Sequence, residues 1–528
     1  MLFHKKGEEL PPAPTPEVLF KVVTNPVVPA IPQVPEKQKI NFRYPLIEPY
    51  AYAHIYWDFQ NNELVYYIEE PSLDESERNL LRTIEKGIEE LINISFLNVK
   101  TTEAVIAYLE KNIKVLLAEL GIKVTEELFL KIMYYVYRDF VGLNEIEPMM
   151  RDLFIEDIEC NGVNTPIYIV HRKYRNLRTN IVFKDIERLT SFVEKLAQKC
   201  GKYISYANPL LDGILPDKSR INATYSQEIS SRGPTLTIRR FFSEPWSPIK
   251  LMQVKTVSPE ILAYLWLMVE YEANFVVIGG TGAGKTSFLN SMAFFIPPAA
   301  RIVSIEDTHE INLLHENWLP SVTREATGIG SEGKIGEVDL FTLLKESFRQ
   351  RPDYVIVGEI RGPEAYVLFQ GAASGHPVAC TMHAEDVETM VRRLETPPIS
   401  LPPSLVETID FVCVISQVKV KGEEVRRLKS VIEIMKIGET LGDIKTNTPF
   451  TWDPASDTFF FKTESVMFQK LAKEYGLSMD YLVKEFQLRT KLLMEMYRRN
   501  IVDHKSVQEI INAYYKTPQQ VLKKFGII

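Results

Sequence analysis

The chain has 528 residues, of which 45% are hydrophobic and 25% are charged, and its formal net charge is −8 at neutral pH. This composition is ordinary for a globular protein, and the length predicts three or four structural units. The acidic balance argues against a nonspecific nucleic-acid binder, which needs a basic face.

The cysteines and the apolar runs of the sequence predict where in the cell the protein is found. The four cysteines, at positions 160, 200, 380 and 413, are far apart and form no C-x-x-C pair, so neither a disulfide framework nor a zinc site is indicated. The apolar run Ile261–Val269 is too short to span a bilayer, and the N-terminus lacks the apolar core of a signal peptide. We therefore expect a cytoplasmic protein that reaches the inner face of a cell membrane only through a partner.

Residues 1–50 are rich in proline, with ten of the 32 prolines in the chain. Proline removes backbone donors and favours extended conformations, so this segment is predicted to be a flexible tail or tether. A docking role and no role at all are equally compatible with this pattern.

Residues 51–142 are predicted to form a small helical N-terminal domain. A hairpin around Asn61 and Asn62 opens it, and a helix follows a capping-box pattern of Ser72 with Glu75. Two more helices are predicted, over 102–120 and 125–140.

The pattern of apolar and polar residues over 143–243 is typical of an α+β domain. Strands are predicted over 166–170, 177–183, 220–225 and 235–241, with an amphipathic helix over 185–199. Two prolines within residues 244–249 then indicate a linker.

From residue 250 to 528, strands alternate with helices, which predicts an α/β fold with a parallel sheet. The predicted strands are Phe275–Ile278, Arg301–Ile305, Tyr354–Val357, Val378–Thr381 and Phe411–Ser416. A hairpin over 450–462 and three helices are expected at the end of the chain.

A phosphate-binding loop lies between the first of these strands and a predicted helix. Residues 279–286 fit the pattern G-x-x-x-x-G-K-[ST], in which backbone N–H groups cradle phosphates. Lys285 would contact the β- and γ-phosphates, and the Thr286 hydroxyl would ligate Mg²⁺. The predicted nucleotide-binding residues of this loop are Gly280, Thr281, Gly282, Ala283, Gly284, Lys285, Thr286 and Ser287.

Acidic residues follow two other predicted strands. Glu306, Asp307 and Glu310 come after one strand, and Glu359 comes after the other. The carboxyl ends of parallel strands share one edge of a sheet, so these groups should lie near the phosphate loop. Clustered carboxylates repel each other unless a cation is present, which indicates bound Mg²⁺.

Four motifs in this order resemble those of the secretion ATPase superfamily (GspE/PilT/VirB-type) that powers type II secretion, type IV pili and archaella. They are GGTGAGKTS at 279–287, IEDTHE at 305–310, RPDYVIVGEIRG at 351–362 and GAASGHPVACTMHA at 371–384. The tetra-cysteine zinc module of many bacterial members is absent. The segment PIYIVHRKYRNLRTNIVF at 166–183, together with the C-terminal hairpin, resembles the archaeal branch. The resemblance covers roughly residues 140–435, and it implies a RecA-like ATPase domain preceded by a PAS-like α+β domain.

The resemblance also implies roles for individual residues. Glu359 matches the metal-side glutamate, which would share Mg²⁺ with Thr286, and Glu310 matches the glutamate that acts on the attacking water. Glu306 and Asp307 could share these roles. His376 and His383 match contacts or sensors of the γ-phosphate. Arginines before the linker match those brought to the nucleotide from the N-terminal side: Arg220, Arg239 and Arg240, with Arg232 nearby.

The function implied is that of a cytoplasmic homohexameric ATPase that uses ATP and Mg²⁺ to assemble or rotate a pilus-like filament through a polytopic membrane platform protein. Archaellum rotation and pilus assembly remain equally open. A nucleic-acid translocase is the main alternative, although the chain shows no basic, aromatic-rich groove and no nucleic-acid partner is expected. A GTPase switch is disfavoured because no N-K-x-D motif is present, and a non-catalytic adaptor is disfavoured by the intact acidic motifs.

Overall fold

A computed structural model describes residues 19–24, 26, 36–91, 102–241, 244–324, 328–330, 333–437 and 444–528. The chain divides into two compact units, 1–241 and 242–528, each of which has its own large sheet. Within the described ranges, no helix combines the length and apolar character needed to cross a membrane.

The first unit is built on a nine-stranded sheet with the order β1-β2-β3-β6-β5-β4-β9-β8-β7. The β3–β6 pair is parallel, whereas the neighbouring pairs on either side are antiparallel. The strands are β1 (Asn41–Ile47), β2 (Ala51–Asp58), β3 (Glu63–Glu69), β4 (Ile155–Cys160), β5 (Pro166–His171), β6 (Arg175–Val182), β7 (Leu210–Ile214), β8 (Arg220–Thr224) and β9 (Thr235–Arg239).

The described residues of this unit also form the α-helices α1 (Glu75–Leu91), α2 (Thr102–Glu119), α3 (Glu126–Val136), α4 (Glu147–Arg151) and α5 (Ile186–Lys199). The capping box of α1 differs from the prediction. Asp74 accepts a hydrogen bond from the N–H of Glu77, and the Glu77 carboxylate accepts one from the N–H of Asp74. The helix therefore begins two residues later than the expected Ser72–Glu75 pair would place it.

The predicted boundary at residue 142 does not separate two folds. β3, from the expected helical domain, pairs directly with β6, from the expected α+β domain. Side chains from both segments, such as Tyr66 and Ile169, belong to one buried core. The prediction was wrong because hydrophobic periodicity identifies strands but does not identify which strands pair across 110 residues.

The predicted flexible tail is also shorter than expected. Phe20 is only 1% exposed and stacks on Tyr50, and the Glu110 carboxylate accepts hydrogen bonds from the N–H groups of Leu19 and Phe20. Asn41–Ile47 forms β1. The tail prediction was therefore wrong at these positions, because apolar side chains between the prolines dock on the sheet; residues 1–18, 25 and 27–35 lie outside the described part of the chain.

The second unit has a nine-stranded sheet with the order β12-β11-β15-β16-β10-β17-β18-β19-β20. The six strands from β12 to β17 in this order are parallel, and the last three are antiparallel. The strands are β10 (Phe275–Gly279), β11 (Ile302–Glu306), β12 (Trp318–Val322), β15 (Tyr354–Val357), β16 (Val378–His383), β17 (Phe411–Val420), β18 (Glu423–Ile437), β19 (Ile444–Asp453) and β20 (Thr458–Phe461), with β13 (Gly328–Gly330) and β14 (Gly333–Ile335) forming a separate hairpin.

Helices cover both faces of the parallel part of this sheet. Phe275 and Val277 of β10 face one apolar core, and Val276 and Ile278 face the other, so every residue of the strand is buried. The helices are α6 (Pro248–Gln253), α7 (Pro259–Glu270), α8 (Lys285–Met292), α9 (Leu340–Ser347), α10 (Glu364–Ala373), α11 (Val387–Glu395), α12 (Pro403–Val406), α13 (Val466–Tyr475), α14 (Met479–Arg498), α15 (His504–Lys516) and α16 (Pro518–Lys524). Alternation thus correctly predicted the α/β class.

Two predictions at the edges of this unit need correction. Ser247, expected in a linker, is buried, caps α6 and donates a hydrogen bond to the carbonyl of Val502. The C-terminal segment holds four helices rather than three. Both α6 and α16 begin with a proline at the first helical position, so Pro248, which indicated a linker, and Pro518 mark helix starts instead.

The Phe20 anchor predicts a measurable contribution to stability. Replacing Phe20 with Ala should lower the free energy of unfolding by about 3–5 kcal/mol, the typical cost of truncating a buried aromatic residue. Leu19→Ala is the matched control, because Leu19 is 47% exposed. Urea unfolding of the full chain, followed by circular dichroism, measures both. Equal stability of the two variants would contradict the anchor.

Candidate active site

The phosphate loop joins the end of β10 to the start of α8. Gly282 and Gly284 adopt positive φ values of 71° and 91°, which favour glycine. A Cβ at Gly279 would lie 2.2 Å from the carbonyl oxygen of Ile415 in the neighbouring strand. The glycines at 279, 282 and 284 are therefore required by the path of the backbone, and the loop ends at the N-terminus of α8, where anions are favoured.

Lys285 is the central cation of this site. Its Nζ lies 3.2 Å from the carbonyl oxygen of Gly280, and 3.2 and 3.4 Å from the two ring nitrogens of His383. Burial lowers the pKa of Lys285, and the carboxylates of Glu359 and Glu310 oppose that shift. The ammonium therefore lies within the field of two acidic residues that come from different strands.

His383 connects Lys285 to Glu359. Its Nε2 lies 3.2 Å from Oε1 of Glu359, and the parallel register places His383 opposite Gly279 at the end of β10. Burial and the Lys285 ammonium lower the pKa of His383, against the opposing effect of Glu359. Near neutral pH this ring is thus held neutral, beside a cation and an anion.

The structure separates the three acidic residues at the end of β11, where Glu306 is the last residue of the strand and Asp307 and Glu310 follow it. Glu306 is buried, and its Oε1 accepts hydrogen bonds from the N–H groups of Glu310 and Ile311. Asp307 pairs with Arg361. Glu310 has an exposed side chain within the electrostatic reach of Lys285. Glu306 therefore holds the loop, whereas Glu310 is available for chemistry.

Gly358 explains how this loop is held. A Cβ at position 358 would lie 3.1 Å from Cγ of Glu306, so the buried Glu306 side chain uses space that a larger residue at 358 would fill. Burial raises the pKa of Glu306, and hydrogen bonds from His309 and the backbone oppose the shift. The glycine before Glu359 thus makes room for a structural carboxylate.

The donor set at this edge fits Mg²⁺. The Thr286 hydroxyl and the Glu359 carboxylate offer hard oxygen ligands beside the phosphate loop, and Glu310 adds a second carboxylate. Across the described ranges, no group of three or more His, Cys, Asp or Glu residues is arranged to hold a metal on its own. Mg²⁺ in nucleotide sites takes one or two carboxylates and completes its shell with phosphates and water.

His376 does not lie with the other predicted site residues. It precedes the first residue of β16, whereas His383 is the last residue of that strand. The two histidines are seven residues apart, which is roughly 23 Å at about 3.3 Å per residue of fully extended chain. Within this unit, His376 is therefore at the opposite edge of the sheet from the phosphate loop.

The predicted arginines lie in the first unit. Arg220 pairs with Asp212 at 2.6 Å and Arg239 with Asp157 at 3.1 Å, and the two arginines are opposite each other in the β8–β9 register. Both side chains are largely exposed on one face of the sheet. Arg240 instead donates to the backbone carbonyl of Asp152, so its contacts support the fold of its own unit.

Arg426 is a residue that sequence reasoning missed. From β18, its Nε donates a hydrogen bond of 3.0 Å to the carbonyl of Gly282, and its Cδ lies 3.1 Å from the Cβ position of Gly284. Gln417 is opposite Arg426 in the β17–β18 register. The contact spans 144 residues of sequence and belongs to no local motif, so only strand pairing reveals it.

The residues of this site lie within the part of the chain that is similar to known proteins. A family profile described as Type II/IV secretion system protein matches residues 143–421. The uncharacterized protein MJ0900 of Methanocaldococcus jannaschii is 35% identical over 500 residues, 90% of this chain and 89% of its own length. The type IV secretion system protein PtlH of Bordetella pertussis is 27% identical over 264 residues, 44% of this chain and 77% of PtlH. The solved structure of the pilus retraction motor PilT with bound ADP aligns at 16% identity, with a TM-score of 0.39, over 72% of this chain and 98% of that one.

The Arg426 contact predicts an effect on nucleotide affinity. Arg426→Ala should weaken binding of a fluorescent ATP analogue up to about tenfold, because a hydrogen bond from a charged donor to the loop is lost. Arg426→Lys should retain part of the affinity. Arg392→Ala is the control, since Arg392 pairs with Glu388 on the surface of α11. Unchanged affinity in Arg426→Ala would show that this contact does not order the loop.

Proposed function

Because this chain belongs to the Type II/IV secretion system protein family, we propose that it is a Mg²⁺-dependent ATPase that assembles or rotates a pilus-like filament. It acts as a homohexamer at the inner face of the cell membrane, through a polytopic membrane platform protein. The observation that carries the ATPase assignment is the convergence of Lys285, His383, Glu359 and Glu310 at one edge of the parallel sheet.

The reaction is hydrolysis of ATP to ADP and phosphate. The phosphate loop and Lys285 hold the β- and γ-phosphates. Glu310 positions the attacking water and accepts its proton as the water oxygen bonds to the γ-phosphorus and the bond to the β-phosphate oxygen breaks. Bound Mg²⁺, held through Thr286 and Glu359, would neutralise charge on the phosphates.

His383 is suited to sense the γ-phosphate. Its ring contacts both Lys285 and Glu359. A phosphate would compete for the Lys285 ammonium, which would release His383 to contact a phosphate oxygen. His383 would thereby report whether the γ-phosphate is present.

The arginines of the first unit supply the remaining positive charge in this proposal. Arg220 and Arg239 are exposed and adjacent on one sheet face, and their partners Asp212 and Asp157 hold them in place. An arginine delivered to a transferring phosphate can be worth about 10³–10⁵ in rate. Delivery from the same chain or from a neighbouring subunit would couple turnover to motion of the first unit.

The separation of the acidic residues gives a direct test of catalysis. Glu310→Gln should retain ATP binding and lose turnover by about 10²–10⁴-fold, because the amide cannot accept the proton of water. Lys285→Ala should lose binding, which provides a reference for a damaged phosphate site. Glu316→Gln, at an exposed position, is the matched control. ATPase rates and ATP affinities of the three variants, with and without Mg²⁺, measure the effect, and normal turnover in Glu310→Gln would refute the assigned role.

The arginine proposal has its own test. Arg239→Ala and Arg220→Ala should bind ATP and lose turnover, whereas Arg178→Ala, which breaks an exposed pair with Glu63, should be unaffected. Mixing Arg239→Ala with Lys285→Ala subunits should restore part of the activity if the arginine is shared between subunits. No recovery at any ratio, in mixed rings verified by native mass spectrometry, would exclude sharing.

A further inference from the structure

A polar cavity of about 190 Å³ lies at the edge of the second sheet opposite the phosphate loop. Residues just before three adjacent parallel strands, β16, β10 and β17, line it, and one side of α13 closes it. His376, which lies away from the phosphate loop, is part of the cavity wall. The proposed ATPase reaction leaves this cavity without a role.

The charges around the cavity are predominantly negative. Glu272, Asp410 and Glu474 line it, against a single lysine, Lys470. Lys470 pairs closely with Asp410 and only loosely, at 3.9 Å, with Glu474. Glu272 forms no ion pair within the described part of the chain. Among the described residues, Glu272 is therefore left without a cation partner, and Glu474 shares Lys470 with the much closer Asp410.

The backbone adds to this negative potential. α7 ends at Glu270, just before the wall residues Tyr271 and Glu272, and α10 ends at Ala373, close to Gly375 and His376. The carboxyl ends of helices carry partial negative charge and favour cations. The electrostatic potential in the cavity thus favours a positively charged group.

Aromatic rings surround the opening. Tyr271 and Tyr475 line the cavity and contact each other edge-to-face, with ring centroids 5.0 Å apart. Tyr475 is 45% exposed, and the nearby helix α14 begins with the exposed side chains of Met479 and Tyr481. Rings beside carboxylates favour a guanidinium, which stacks on aromatic faces while it donates to carboxylate oxygens.

His376 offers a further acceptor. Its Nδ1 is buried and has no hydrogen-bond partner among the residues that the structure describes. Phe348 packs edge-to-face against the ring at 5.1 Å and restricts its movement. His376 is therefore a fixed part of the cavity wall, next to the carboxylates that would meet the N–H donors of a guanidinium.

We propose that this cavity binds an arginine side chain presented by a partner protein, with Glu272 and Glu474 as the charge partners and Tyr475 as the stacking surface. The exposed aromatic and methionine side chains around the opening would be covered by the partner backbone, as is usual at the centre of a binding surface. This site is separate from the phosphate loop, so the proposal does not depend on the ATPase assignment.

The test uses the full-length protein and a blocked amino acid that imitates an arginine within a peptide. Binding of Nα-acetyl-argininamide is measured by saturation-transfer NMR and titration, with the neutral isostere Nα-acetyl-citrullinamide as the comparison ligand. We expect millimolar binding of the arginine derivative and at least about tenfold weaker binding of the citrulline derivative, since charged hydrogen bonds are lost.

Protein variants then locate the bound ligand. Glu474→Gln and Glu272→Gln should each weaken arginine binding about tenfold, and Tyr475→Ala should weaken it further than Tyr475→Phe. Glu388→Gln, which alters an exposed glutamate on α11, is the matched control. Equal binding of the arginine and citrulline derivatives, or binding unchanged in both glutamine variants, would overturn the proposal. ATP binding measured in the same variants should stay normal, which separates this result from any failure at the phosphate loop.

Discussion

The close approach of β10 and β17 is the constraint on which the rest of the candidate active site depends. The backbone of Gly279 lies against the carbonyl of Ile415 with no space for a side chain, and on its other side Gly279 is in register with His383 of β16. This spacing directs the chain out of the sheet into the phosphate loop. It also sets the distance between Lys285, which begins α8, and His383, which ends β16.

Charge compensation within the site follows from that arrangement. Lys285 is buried beside a neutral histidine, and the charges of Glu359 and Glu310 stabilise its ammonium, although burial disfavours the charged form. A nucleotide would bring more negative charge and would compete with those carboxylates for Lys285. The charge balance of the site would therefore change when phosphates bind or leave.

Buried carboxylates organise the second unit away from the candidate active site as well. Glu433 on β18 accepts hydrogen bonds from the hydroxyls of Tyr264 and Ser465 and from the N–H groups of Val466 and Met467. These contacts attach the start of α13 to α7 and to the sheet. Removing one hydrogen-bond partner of a buried polar group is costly, because the group is left unsatisfied away from water. The C-terminal helices are thus part of the second unit, and α13 can form a wall of the cavity that contains His376.

The local sequence by itself determined those parts of the protein whose residues lie close together in the chain. The glycines and Lys285 of the phosphate loop lie within eight residues, and their conformations follow from residue type, so the loop could be predicted. The strands that precede Glu306 and Glu359 were equally clear, because fully buried parallel strands are continuous apolar runs.

Tertiary structure decided whatever depends on which strands pair and in which direction. The pairing of β3 with β6 merged two expected domains, and the β17–β18 hairpin brought Arg426 to Gly282. The direction of β16 placed His383 at the phosphate loop and His376 at the far edge, although one motif contains both. The fold also buries Glu306, whose carboxylate accepts hydrogen bonds from backbone N–H groups, and leaves Glu310 exposed. Two groups a few residues apart in sequence can lie at opposite ends of a strand, because an extended chain advances about 3.3 Å per residue.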